Sequence, residues 1–170
     1  NVSCPNVVGL TALQDITFLG EIVDKLLDLR MYYDTYKPIL LKVSPDLAHQ
    51  QLDEIIDYCL RSGIDGIVAG NTTRSREGIT SISKEKIEAI GNGGMSGAPL
   101  HKKNLELVKY VHTRSEGKLP IIGVGGIMTP EQAKAMLDAG ASLVEIYTGF
   151  VYEGPALIKN IIKYLETAGK

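Results

Sequence analysis

Cysteine is scarce: two among 170 residues, Cys4 and Cys59, in unlike local contexts. That argues against a disulfide framework and for a reducing compartment, while leaving thiol chemistry open. Charge of one sign is lacking as well. Eighteen Lys and Arg against twenty Asp and Glu leave a formal net charge of -2, so there is no broad basic field and nucleic acid is not an expected partner. Any anion must be held locally. Long hydrophobic runs are missing: the longest, 38–41 and 119–124, fall far short of a bilayer, and no charged, apolar, small-residue leader opens the chain. Histidine is limited to His49, His101 and His112, all read as surface residues with no metal-ligand spacing, and no Cys-x-x-Cys or Ser-His-Asp pattern occurs. No metal is expected. Linkers, low-complexity tracts and helical repeats are absent too, so the chain reads as one structural unit.

The 44% hydrophobic and 22% charged residues suit one domain with a real core. Apolar residues recur at helical spacing over 13–33, with Leu19, Ile22, Val23, Leu26 and Leu27 on one face. A short apolar run, 38–43, ends at Ser44-Pro45-Asp46 and reads as a buried strand with Lys42 near its end. A second helix is predicted over 48–62, with Leu52, Ile55, Ile56, Cys59 and Leu60 as its stripe and Gly63 closing it. On this reading Cys59 is packing. A strand over 66–69 follows, then a polar excursion carrying a short helix near 84–90 and closed by 93–97. Next come a helix over 104–114, a strand over 120–124, and a helix whose start at Thr129-Pro130-Glu131-Gln132 is a capping box and whose end is Gly140. A strand over 143–147 and a helix over 155–165 complete the order.

One helix followed by three strand-to-helix units argues for parallel strands covered by helices, an α/β fold. A doubly wound sheet would also alternate, but its glycine fingerprint near the first strand is missing and polar residues cluster after every strand. Half of a (β/α)8 TIM barrel is therefore the expected architecture. Asn1 opens directly onto a polar cluster of the kind that ends a strand, with no strand before it, so the sequence reads as a truncated chain.

If the strand ends share one mouth, they present Asn1, Cys4 and Asn6, then Lys42, then Asn71 and Thr72, then Gly125 and Gly126, then Tyr147 and Thr148. Cys4 between two carboxamides, with Pro5 fixing the backbone, reads either as a proton acceptor or as a small buried residue in a turn. Lys42 either faces an anion in the mouth or snorkels to its rim. Asn71 and Thr72 bind the imide edge of a ligand or cap the loop that follows. The backbone N–H groups of Gly123-Val124-Gly125-Gly126 and of Tyr147-Thr148-Gly149 suit a phosphate. They also lie in the final two units, where barrel phosphate sites are built.

Six ordered motifs carry a resemblance: Asn1-Val2-Ser3-Cys4-Pro5-Asn6, Lys42-Val43-Ser44-Pro45-Asp46-Leu47, Gly70-Asn71-Thr72-Thr73, Gly93-Gly94-Met95-Ser96-Gly97, Ile122-Gly123-Val124-Gly125-Gly126-Ile127 and Tyr147-Thr148-Gly149. Together they span essentially the whole chain, which resembles the C-terminal half of a dihydroorotate dehydrogenase of the quinone-linked class. The resemblance implies a partial FMN-binding barrel domain over residues 1–170 that takes part in oxidising dihydroorotate to orotate in pyrimidine synthesis. It implies Cys4 as catalytic base, Asn1, Asn6, Asn71 and Thr72 on the substrate, and Asn1, Lys42, Gly70, Gly97, Gly126, Tyr147 and Thr148 on FMN. Quinone is the implied oxidant and the missing N-terminal half of the same protein the implied partner. The implied location is peripheral, on the cytoplasmic face of a bacterial inner membrane. Two positions depart from the pattern: quinone-linked members usually carry serine where this chain has Cys4, and Gly70 replaces a more usual threonine. Cysteine is usual in the soluble members that use fumarate or NAD and work in the cytoplasm, which stand as the alternative enzyme reading. A non-catalytic half-barrel is the other alternative, because four strands cannot close a barrel.

Overall fold

The computed structural model describes residues 2, 15–80 and 82–168. Asn1, Cys4 and Asn6 lie outside the described residues. Helix α1 (Ile16–Arg30) starts at Asp15, whose carboxylate accepts the Thr17 N–H at 3.0 Å, and it buries Leu19 and Val23. The predicted inward position of Leu26 is corrected, since that side chain is 43% exposed. Only a narrow stripe of α1 meets α2 (His49–Ser62). In α2 the buried positions Leu52, Ile55, Ile56 and Cys59 are spaced as the sequence predicts, while Leu60 lies off the stripe and is exposed. Gly63, at φ +78°, closes the helix in the left-handed conformation and turns the chain toward the next strand.

Four short strands, β1 (Leu40–Val43), β2 (Gly66–Ala69), β3 (Ile121–Val124) and β4 (Leu143–Glu145), form one parallel sheet in the order β1-β2-β3-β4. A doubly wound sheet reverses direction from its first strand, whereas a barrel adds each strand beside the last. The observed order is the barrel order. Alternation along the strands then separates two faces. Leu41, Val43, Ile67, Ala69 and Ile121 point to one face and are buried with Val108, Val111, Ala133 and Met136 in the core. Lys42, Val68, Ile122, Val124, Leu143 and Glu145 alternate with them, and register places them side by side on the other face. That face is less covered, and Leu143 is 61% exposed.

The excursion after β2 is pinched at its neck, where Thr73 and Met95 exchange backbone hydrogen bonds at 3.2 and 2.7 Å. Within it, α3 (Lys84–Ile90) occupies the predicted range, capped by the Ser83 hydroxyl, and buries none of its residues. After a 3-10 turn at Ala98–Leu100, α4 (His101–Arg114) begins three residues earlier than predicted. This corrects the reading of His101 as a surface residue: its Nδ1 is buried without a hydrogen-bond partner, and desolvation lowers its pKa. His49 and His112 are exposed. The predicted capping box starts α5 (Pro130–Asp138), with the Gln132 N–H donated to Thr129 Oγ1 and the Thr129 N–H to Gln132 Oε1. β4 ends two residues before its predicted limit. A helix that periodicity did not reveal, α6 (Thr148–Glu153), follows it, and α7 (Pro155–Ala168) then packs on α5. No helix among the described residues is long and apolar enough to cross a membrane.

Candidate active site

A cleft of about 390 Å³ opens where the four strands end. Its wall receives Lys42 from β1, Gly70, Asn71 and Thr72 from the segment after β2, and Gly97 from the arm that closes the excursion. Gly126 comes from the loop after β3, and Tyr147 and Thr148 from the end of the β4 unit. All eight candidate residues within the described part of the chain thus meet at one concavity, although up to 106 positions separate them. Strand direction is the reason: in a parallel sheet every carboxyl end opens on the same side.

Glycines let the walls approach one another. A Cβ on Gly126, which sits at φ +73°, would collide with the backbone of His101, so the loop after β3 rests directly on the start of α4. A Cβ on Gly149 would strike the Ile127 carbonyl, bringing the β4 unit equally close to the β3 loop. Thr148 Oγ1 lies 3.1 Å from Ser96 Oγ as a hydrogen bond, and its methyl group packs over Gly97. The phosphate-side candidates therefore form one surface made largely of backbone. Tyr147 borders the cleft but stays 80% exposed, so its ring is not clamped by the described residues.

On the opposite wall Asn71 Oδ1 accepts the N–H of Thr72 at 2.9 Å, which orients the carboxamide at the start of the loop. Asp46, from the segment after β1, braces the next residues: it accepts the Thr73 hydroxyl at 2.5 Å and the Arg74 N–H at 2.7 Å, and pairs with the Lys103 ammonium. Burial pushes the Asp46 carboxyl up. The hydrogen bonds from Lys103, Thr73 and Arg74 outweigh it and hold the group below its ordinary value. Cys59 is remote from this chemistry, packed in the core, and burial pushes its thiol up to about 12.

Sequence reasoning missed two contributors. Glu145 lines the cleft because it shares the less covered face with Lys42 and Val124, an alternation already visible in the strand. Asn104, fully buried under the cleft, donates Nδ2 to Val124 O at 2.6 Å and to Asn71 O at 3.4 Å. Its signal was a polar residue at an apolar-stripe position, since 104, 107, 108 and 111 follow the helical repeat. Among the described residues no group of three or more His, Cys, Asp or Glu is placed to hold a metal.

Comparison with known proteins agrees with this geometry. The profile of the family described as "Dihydroorotate dehydrogenase" matches residues 1–168. A protein named "Dihydroorotate dehydrogenase (quinone)" from Salinispora arenicola is 45% identical over 159 residues, covering 94% of this chain and 44% of the relative. One of the same name from Christiangramia forsetii is 47% identical over 161 residues, covering 95% of this chain and 46% of the relative. The crystal structure of DHODH in complex with ferulenol from Eimeria tenella superposes with a TM-score of 0.89 at 29% identity, covering 99% of this chain and 50% of that one. The chain spans about half the length of the relatives it matches, and its four-stranded sheet is part of a TIM barrel.

Proposed function

The chain belongs to the dihydroorotate dehydrogenase family, and from that premise we propose that residues 1–170 are the C-terminal half of an FMN-binding barrel. With FMN as hydride acceptor and quinone as final oxidant, that barrel oxidises (S)-dihydroorotate to orotate in pyrimidine biosynthesis. The observation that carries the reading is the convergence of eight residues from five separate motifs on one cleft.

The cleft suits a flat ring bearing a phosphate. Gly97, Gly126 and Gly149 leave no room for a Cβ without displacing a neighbour, so the wall they form presents backbone rather than side chains. Gly97, Gly126, Tyr147 and Thr148 would hold the phosphate side of FMN, with Gly70 and Lys42 beside its ring. Lys42 brings a cation to the end of an apolar strand, where it would lie beside the flavin ring and would favour negative charge there. Asn1, Asn6, Asn71 and Thr72 would hold the substrate edges, as carboxamides and hydroxyls match a ring with both N–H and C=O groups. Bound FMN supplies the acceptor for the hydride that leaves C6. Cys4, as thiolate, takes the proton from C5, so both C–H bonds are broken and a C=C bond forms between C5 and C6. A thiol base and a quinone oxidant are compatible because proton abstraction and flavin reoxidation belong to separate half-reactions.

The names of the relatives in Salinispora and Christiangramia support quinone over the fumarate or NAD alternative. Steady-state turnover of the full-length protein with each acceptor tests it. Ubiquinone or menaquinone analogues should be preferred, and vigorous fumarate or NAD reduction without quinone activity would overturn the assignment. Cys4→Ala should slow anaerobic flavin reduction at least about a hundredfold with FMN still bound, and Cys4→Ser should retain more activity. Among the described residues β1 and β4 have no further partner strand, so the 170-residue chain alone should lose FMN on desalting, as the non-catalytic half-barrel reading also requires. The same reading places the full-length protein peripherally on the cytoplasmic face of a bacterial inner membrane. Fractionation checks this: the protein should sediment with membranes and be released by detergent.

A further inference from the structure

Asn104 occupies a position where an aliphatic residue would be expected to serve the core better. It has no exposed surface, and the same stripe of α4 buries Leu107, Val108 and Val111. A carboxamide taken out of water costs stability unless its polar atoms are used, and here only half of it is. Nδ2 donates to the carbonyls of Val124 and Asn71, while Oδ1 is buried and accepts nothing. A half-satisfied buried amide points to a purpose other than stability.

The two carbonyls indicate the purpose. The parallel ladder between β2 and β3 ends with Gly70 N–H donating to Val124 O at 3.3 Å. Beyond that bond the chains part, one into Asn71-Thr72 and the other into Gly125-Gly126. Asn104 bridges them at this fork from below, taking the place of the next rung. The bridge is held on both sides: a Cβ on Gly125 would collide with Nδ2, and one on Gly70 would come within 3.3 Å of Oδ1 and 2.7 Å of a Leu107 methyl.

We infer that Asn104 is a positioning residue that sets the spacing between the substrate-side loop at Asn71-Thr72 and the glycine cradle at Gly125-Gly126. This rests on the function proposed above, which assigns the substrate to one side of the fork and the FMN phosphate to the other. Asn104 is fully buried and does not line the cleft. It acts through two backbone carbonyls, and its loss disturbs both binding sites together.

Two variants of the full-length enzyme test this. Asn104→Leu keeps the volume and removes the bridge. FMN dissociation, read from flavin fluorescence, and KM for dihydroorotate should both rise about tenfold, with kcat changed less than about threefold and little change in melting temperature. Asn104→Asp places a carboxyl against two carbonyls. The contacts at this position, Gly70, Asn71, Leu107, Val124 and Gly125, carry no ionisable group, the ammonium of adjacent Lys103 is engaged by Asp46, and His101, one turn earlier on α4 against Gly126, has its pKa lowered by burial, which favours the neutral imidazole. The acid must be protonated to donate, so FMN binding by this variant should tighten as pH falls from about 8 to about 6 while wild type stays level. If Asn104→Leu does not fold, the pH profile of Asn104→Asp decides alone. Unchanged FMN affinity and KM in a folded leucine variant, or a flat pH profile in the aspartate variant, would overturn the inference while leaving the proposed function intact. A wild-type protein that neither binds FMN nor oxidises dihydroorotate would overturn both.

Discussion

The two faces of the sheet come from the same four short strands, yet they meet different demands. On the helix-covered face Ile67 and Ile121 have no exposed surface, and α2, α4 and α5 supply the core against them. On the other face Lys42, Val124 and Glu145 border the cleft, and Leu143 is mostly exposed. Alternation lets three- and four-residue strands do both, because neighbouring residues never share a face. Within this half-length chain the helix-covered face carries the packing, while the other face, which a closed barrel turns inward, borders the cleft, so changes on the two faces should separate in experiments on the 170-residue chain.

The largest effect expected is on the covered face. Ile121→Ala leaves a cavity in a fully buried site and should cost about 2–5 kcal/mol in urea denaturation. In the same 170-residue chain its neighbour Ile122, half-buried on the other face, should cost clearly less, and equal losses would erase the distinction. Next in size, Lys42→Ala should weaken FMN binding about tenfold while leaving the denaturation midpoint nearly unchanged, and a large stability loss would make Lys42 structural. A smaller effect is expected at Asp46. Its folded pKa lies below the ordinary 3.8, so its contribution to stability is present above 3.8 and is lost as pH falls through the lower folded value. Melting temperatures measured down the acid range should fall more steeply for wild type than for Asp46→Asn, and parallel curves would show that the Thr73 and Lys103 contacts do not hold in solution. Smallest of all should be the response of Cys59. With its thiol pushed up to about 12 by burial, alkylation of the native protein near pH 8 should leave it unmodified by peptide mass spectrometry. Rapid labelling there would mean that the covered face opens.

Local signals were read well where one short segment carries the whole cause. Helix α3 lies where the sequence puts it because Ser83 caps its first turn, and α5 begins at its capping box for the same reason. Errors arose where neighbours decide. Leu26 and Leu60 fit a helical stripe but extend past the edge of the α1–α2 contact, and so are exposed. His101 read as a surface residue because the 3-10 turn at Ala98–Leu100 leads straight into α4, which sets the His101 backbone and Cβ against the β3 loop and buries its Nδ1. At the site, motif resemblance brought out Lys42, Gly70, Asn71, Thr72, Gly97, Gly126, Tyr147 and Thr148, all of which border the cleft. It passed over Asn104, which belongs to none of the motifs.

The sequence by itself determined the order of strands and helices, the caps and glycine turns that bound them, and the set of polar residues placed at strand ends. Each of these depends on contacts within a few residues, so periodicity and turn chemistry suffice to read it. Only the tertiary structure decided that the strands add in sequential order, that one strand face is sealed while its alternate borders a cleft, and that Asn104 ties Asn71 to Val124 from 33 and 20 positions away. Such pairings arise from packing between distant segments, and no local pattern specifies which carbonyl a buried carboxamide will meet.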